Sequence, residues 1–292
     1  MTFSIVAVDG TEVGCAVQSK YFSVGSVVPW AKARVGAVAT QAAGVAAYGP
    51  QVLALLEAGL SPEAALEQAL AGDPERETRQ LGVVAADGTA ASHTGADCLA
   101  WAGHRVGDGY AVQGNILAGE VVVTEMERAF LETRGSLAER LVSALEAGQE
   151  AGGDSRGQQS AAIVVERTGA AAESREGIDR VCELRVEDHE TPIAELRRLL
   201  GIHTVWDAVR RASAFHSPGQ YSRGADLLSE HLETKGESPV LLYDLACMEA
   251  LAGDLEPAAV HIARSLELDP GLRAGAEADP DLEPLRRAGL FR

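Results

Sequence analysis

The order of elements along this chain predicts an α+β fold: strands, two helices, strands, two helices, strands, and then helix alone to the end. Successive strand signals are joined by short turns, which implies antiparallel sheets with helices packed outside them. From Thr191 onward no strand signal returns, so an all-α part follows the α+β part. A four-layer αββα sandwich fits the first pattern, and other α+β arrangements fit it too.

Thr2-Phe3-Ser4-Ile5-Val6-Ala7-Val8 alternates as a strand should. Asp9-Gly10-Thr11 turns the chain, and Val13 to Val17 returns as its hairpin partner, ending at Ser19-Lys20. Val35 to Thr40 is a third strand, running into Gln41-Ala42-Ala43-Gly44. Gly49 to Ala71 reads as two helices, the second with Ser61 as N-cap and Pro62 at its first position, stopped by Asp73-Pro74. Leu81 to Ala86, Asp87-Gly88 and Thr89 to His93 give strand, turn and strand, and Tyr110 to Ile116 a further strand. Val121 to Thr133 and Ser136 to Gln149 are amphipathic helices parted by Gly135. A sharp loop, Gly152 to Gly157, leads to the strands Ser160 to Glu166 and Arg180 to Val186.

In the all-α part, Leu245, Ala246, Gly253-Asp254, Ala258, Ile262 and Leu266 have the spacing of a tetratricopeptide repeat. That repeat has a period of about 34 residues, and Ala246, Gly253 and Ile262 shifted by it fall on Ala212, Gly219 and Leu228. Two repeats are expected, Val205–Glu237 and Ser238–Leu272, with Leu282–Leu290 as a cap. The expected domains are therefore 1–190, a linker helix at 191–204, and a tetratricopeptide-like domain at 205–292. Two repeats fall short of the three or so needed for independent stability. They are expected to lean on the first domain or on another subunit, and a homo-oligomer fits this.

The 292 residues are 46% hydrophobic and 23% charged, the composition of a soluble globular protein. A net charge of −18 argues against nucleic acid, whose phosphates need clustered Lys and Arg. Cys15, Cys98, Cys182 and Cys247 are scattered in apolar runs, as free thiols of a cytoplasmic protein would be. No signal peptide and no membrane-spanning run is visible. Metal and cofactor motifs are missing as well: the seven histidines make no HExxH or Cys/His group, and His93 and His104 read as ordinary strand or loop residues. Gly107-Asp108-Gly109 starts like a dinucleotide fingerprint, but no third glycine follows at the right spacing.

Thr2 stands out chemically. Initiator Met is generally removed before a small residue, which leaves Thr2 with a free α-amine. That amine, of pKa about 7.7–8.0, can act as base for the hydroxyl of its own residue. A strand opening on Thr2, a nearby Lys20 or Lys32, and a glycine-containing turn at Ala42 to Gly44 resemble the N-terminal nucleophile hydrolases, such as the proteasome β-subunit. Residues 2–7, 19–25, 35–41, 111–115 and 153–162 together resemble a bacterial family in that superfamily, the domain of unknown function 1028 family.

The resemblance implies the αββα sandwich and, by analogy only, a nucleophilic Thr2. It implies that Lys20 or Lys32 tunes the amine, and that Asp154 and Ser160 support Thr2, with an Asp154–Arg156 pair bracing the loop as the structural alternative. Backbone N–H groups of Gln41 to Gly44, and the Asn115 amide, are candidates for an oxyanion hole. The function expected is an amide hydrolase acting on a small-molecule amide or peptide. The alternative is a catalytically silent sandwich that binds a protein partner through its repeats.

Overall fold

The computed structural model describes residues 2–168, 179–217 and 219–291. The chain divides into two compact units, Met1–Leu200 and Gly201–Arg292. In the first unit, β1 (Thr2–Asp9) lies between β2 (Glu12–Ser19) and β8 (Tyr110–Asn115) in a six-stranded sheet. With β7 (Gly103–Gly107), β9 (Ser160–Arg167) and β10 (Arg180–Val186) the order is β10-β9-β2-β1-β8-β7. A second sheet runs β3-β4-β5-β6, from Pro29–Lys32, Gly36–Ala42, Arg79–Ala85 and Ala90–Thr94. Every strand pair is antiparallel, as the short turns predicted.

Strand alternation sorts β1 into two faces. Phe3, Ile5 and Ala7 enter a core shared with α3 (Val121–Glu132) and α4 (Leu137–Glu150), where Met126, Leu141 and Leu145 are also fully buried. Val6 looks the other way, into a core with Val13, Cys15 and Val17 from its own sheet and Ala37, Ala39 and Val84 from the second. A third core joins the outer face of the second sheet to α1 (Tyr48–Glu57) and α2 (Pro62–Leu70). Thr2 and Ser4 share the parity of Val6, so their side chains point between the sheets.

The helix starts are chemically ordinary. Ser61 Oγ accepts from the Ala64 amide with Pro62 next to it, and Ser136 and Glu139 form a reciprocal capping box at α4. Strands β3 and β7 escaped the sequence reading. Each is an edge strand of four or five residues, one opening on proline and the other bounded by glycines, so neither offers a long alternating run.

Helix α5 (Pro192–Ser213) is continuous and spans both the expected linker, 191–204, and the start of the first expected repeat. No proline interrupts it, and Gly201 alone does not break a helix. In the second unit, α6 (Tyr221–Lys235), α7 (Pro239–Ala252), α8 (Leu255–Leu268), α9 (Arg273–Ala278) and α10 (Glu283–Arg287) are joined by short connections. Ala212 and Leu228 are buried in one core, and Ala246 and Ile262 in a second. Gly219 and Gly253 both take positive φ, 69° and 96°, where the chain turns between helices. Among the described residues no helix is long and apolar enough to cross a membrane, and no cluster of His, Cys, Asp and Glu could hold a metal. None of the four cysteines forms a disulfide.

Candidate active site

Thr2 is 6% exposed and lines a cavity of about 210 Å³. Its Oγ1 lies 3.0 Å from Ser19 Oγ, the residue facing it across the β1–β2 hairpin. Both side chains point between the sheets because both strands keep their alternation to the last residue. The sequence reading missed Ser19. The signal was present in the hairpin register, which sets Thr2 opposite Ser19.

One wall comes from the turn after β2. Ser160, opposite Ser19 on β9, donates from Oγ to the Tyr21 carbonyl at 2.5 Å and accepts from the Val24 amide at 3.0 Å. It thereby holds Tyr21 and Val24 against the cavity, which both line. Ser160 acts on the wall, not on Thr2 directly.

Asp154 is buried and organises the next stretch. Its Oδ2 accepts from the Lys20 amide at 3.1 Å and from Arg156 Nη2 at 3.2 Å, and its Oδ1 accepts from the Arg156 amide at 2.9 Å. Of this group Arg156 reaches the cavity wall. The Lys20 ammonium instead donates to the Gln158 carbonyl at 3.0 Å, in an exposed position. Lys32 lies on the edge strand β3, paired with Glu57 at 2.6 Å. Neither lysine lines the cavity.

The opposite wall is the end of β4. Gln41, Ala42 and Gly44 line it. The left-handed residue there is Ala42, at φ 69°, and not the glycine; an alanine held in that region stores about 1–2 kcal/mol. The Ala43 amide is taken by the Thr78 carbonyl, which leaves Gly44 as the lining glycine of the expected oxyanion turn. Arg79 steadies this turn by donating to the Ala43 carbonyl at 2.5 Å while paired with Asp73 and Glu75. Arg79 first, and Tyr48 after it, hold the Asp73 carboxyl well below the usual range.

Behind Thr2 lies a buried amide network. Gln41 Nε2 reaches the Thr2 carbonyl at 3.4 Å and Gln80 Oε1 at 2.8 Å, while Gln41 Oε1 accepts from Ser4 Oγ at 2.7 Å. Asn115 faces Thr2 across β1–β8, but its Nδ2 donates to Gln80 Oε1 at 2.9 Å, and it does not line the cavity. Gln113 Nε2 donates to Ser4 Oγ at 2.6 Å. Gln80 Nε2 continues to Thr94 Oγ1, which lies 2.8 Å from His104 Nδ1. Burial, and to a smaller extent His93, lowers the His104 pKa. A hydroxyl at a strand end, held by a second hydroxyl beside a small cavity, with an amide on the carbonyl of its own residue, is suited to nucleophilic attack.

The model of the family of unknown function DUF1028 matches residues 2–196. The crystal structure of protein SPO2555 from Silicibacter pomeroyi, assigned to that family, is 30% identical, with a TM-score of 0.62 over 70% of this chain and 89% of its own. Anbu (ancestral beta-subunit) from Yersinia bercovieri aligns over 70% of this chain and 95% of its own. Its 11% identity and TM-score of 0.32 are too low for any conclusion about this chain. No curated protein matches. The strand that opens on Thr2 and the loop that carries Asp154 both fall inside the matched region, and by that match the chain belongs to the DUF1028 family.

Proposed function

We propose that this chain is an amide hydrolase of the N-terminal nucleophile type, with Thr2 as the nucleophile once Met1 is removed. One observation carries the reading: Thr2 heads a buried central strand and presents Oγ1 to a cavity, 3.0 Å from Ser19 Oγ. The two facing sheets with helices outside them correspond to the αββα sandwich of that superfamily. The matched positions in the second unit correspond to two tetratricopeptide-like repeats.

The chemistry follows from the residues in place. The free α-amine of Thr2 takes the hydroxyl proton, and Oγ1 attacks the substrate carbonyl. The C–N bond breaks as the ester forms, and the proton passes from the amine to the departing nitrogen. Water then hydrolyses the ester. Ser19 holds the hydroxyl, Gln41 fixes the Thr2 peptide, and the Gly44 amide is the donor nearest in kind to an oxyanion hole. Asp154 and Ser160 shape the walls, Lys20 adds a distant positive charge, and Asn115 supports Gln80.

The test is covalent. A β-lactone should add one equivalent to the processed protein, mapped to Thr2 by mass spectrometry. Thr2→Ala should abolish labelling at a stability cost of about 0.5–1.5 kcal/mol, the net worth of the buried bond to Ser19 Oγ that it removes. Thr2→Ser should keep part of the labelling, and Thr2→Val should behave like Thr2→Ala. Retained Met1 in the intact mass would end this reading, because the base would then be an amide nitrogen. It would leave the binding role of the helical repeats.

A further inference from the structure

The cavity beside Thr2 is small and its charge is one-sided. Its volume, about 210 Å³, is below the roughly 300 Å³ at which drug-sized pockets begin, so it takes a group of about one amino-acid size. Val24, Val27, Val28 and Ala46 give it an apolar flank. The chain carries 43 acidic and 25 basic side chains, yet among the described residues Arg156 is the charged one on this cavity's lining, and no Asp or Glu joins it.

Asp154 is not the exception, since it stands behind the wall. Its side chain is fully buried, while that of Arg156 is 43% exposed, so the pair turns its cationic end to the opening. Bonds to Arg156 Nε, Nη2 and the Arg156 amide fix the guanidinium in that place. A guanidinium carries five N–H donors, more than the bonds to Asp154 use, and they are of the kind that pair with a carboxylate.

We infer that the substrate is a short aliphatic amide whose acyl half ends in a carboxylate, read by Arg156 while the alkyl chain lies on the valine flank. This rests on Thr2 being the nucleophile. The step is the one already written: the Thr2 Oγ1–acyl bond forms, the C–N bond breaks, and the hydroxyl proton leaves on the amine. Water then returns a dicarboxylic acid and the free hydroxyl.

Two length-matched esters test it on the Met1-processed protein: mono-4-nitrophenyl glutarate and 4-nitrophenyl valerate, with acylation of Thr2 followed by mass spectrometry. The glutarate ester is expected to acylate at least about tenfold faster, the scale of one charge-assisted hydrogen bond. In Arg156→Gln the ratio of the two rates should fall to near one, and in Arg156→Lys it should lie between. Arg156→Gln leaves Asp154 buried without its partner, so Asp154→Asn combined with Arg156→Gln provides a second variant with neither charge, for which the same loss of ratio is expected. Equal acylation by both esters in the wild type overturns the substrate class and leaves the nucleophile standing. A preference that survives loss of the guanidinium overturns the role of Arg156. If neither ester acylates Thr2, the nucleophile reading fails and this inference falls with it.

Discussion

Gln80 and Gln18 are both wholly buried glutamines, yet replacing each by methionine is expected to shift stability in opposite directions. Gln80 Oε1 accepts from Gln41 Nε2 and Asn115 Nδ2, and its Nε2 donates to Thr94 Oγ1 and to the carbonyls of Gly103 and Gly114. Methionine keeps the length and removes all five bonds. The Asn115 amide is then left without its Gln80 acceptor, and Gln41 keeps contacts of only 3.4 and 3.5 Å. At about 1–3 kcal/mol for each buried orphan, Gln80→Met should cost about 2–6 kcal/mol. Neither polar atom of the Gln18 side chain has a hydrogen-bond partner among the described residues. Burying an amide in that state costs about 1–3 kcal/mol, so Gln18→Met should gain about that much. Urea unfolding followed by circular dichroism reads both, through the midpoint at unchanged slope. A neutral Gln80→Met, or a Gln18→Met destabilised by more than about 1 kcal/mol, would refute this account of the buried amides.

Lys20→Met should lower β-lactone labelling of Thr2 by less than about tenfold, because an exposed ammonium acts through water, and Lys32→Met should leave it within about twofold. A larger loss in Lys32→Met would show that the Lys32–Glu57 pair reaches the site after all. In the second unit, burial first, then Asp279 and Asp281, push Asp244 up to about 6. A carboxyl raised above its unfolded value of about 3.9 takes up protons on folding, so its cost grows as pH rises from about 4 to 6 and stays above that. Asp244→Asn should therefore gain roughly 3 kcal/mol at pH 8 and under about 1 kcal/mol at pH 4; denaturation midpoints at the two pH values check it, and a gain equal at both would contradict it.

The family resemblance singles out Thr2, Asp154 and Ser160; the structure puts Thr2 on the cavity, Ser160 behind its wall and Asp154 behind Arg156. Alternation also fixes that Thr2 shares a face with Val6. The Gln41–Gln80–Asn115 network was not legible, since a glutamine in a strand reads as a solvent-facing residue until a second sheet is known to cover it. Lys20 and Lys32 stayed unresolved for a related reason: spacing places a Cα, while the direction of a four-carbon side chain depends on acceptors such as the Gln158 carbonyl and Glu57. The role of Arg156 on the cavity wall likewise depends on the buried Asp154 behind it.

Gly82 lies where Gln113 crosses between the two sheets. A Cβ at position 82 would sit 2.0 Å from Gln113 Oε1, and the amide could clear it only by giving up its bond to Ser4 Oγ. The two positions are therefore tied in sequence drift. Descendants of this chain that gain a side chain at 82 should be those that have first shortened the residue at 113, and the reverse order of substitution should be rare. The same dependence can be read in the laboratory as epistasis: Gly82→Ala alone destabilises, and Gly82→Ala on a Gln113→Ser background costs less.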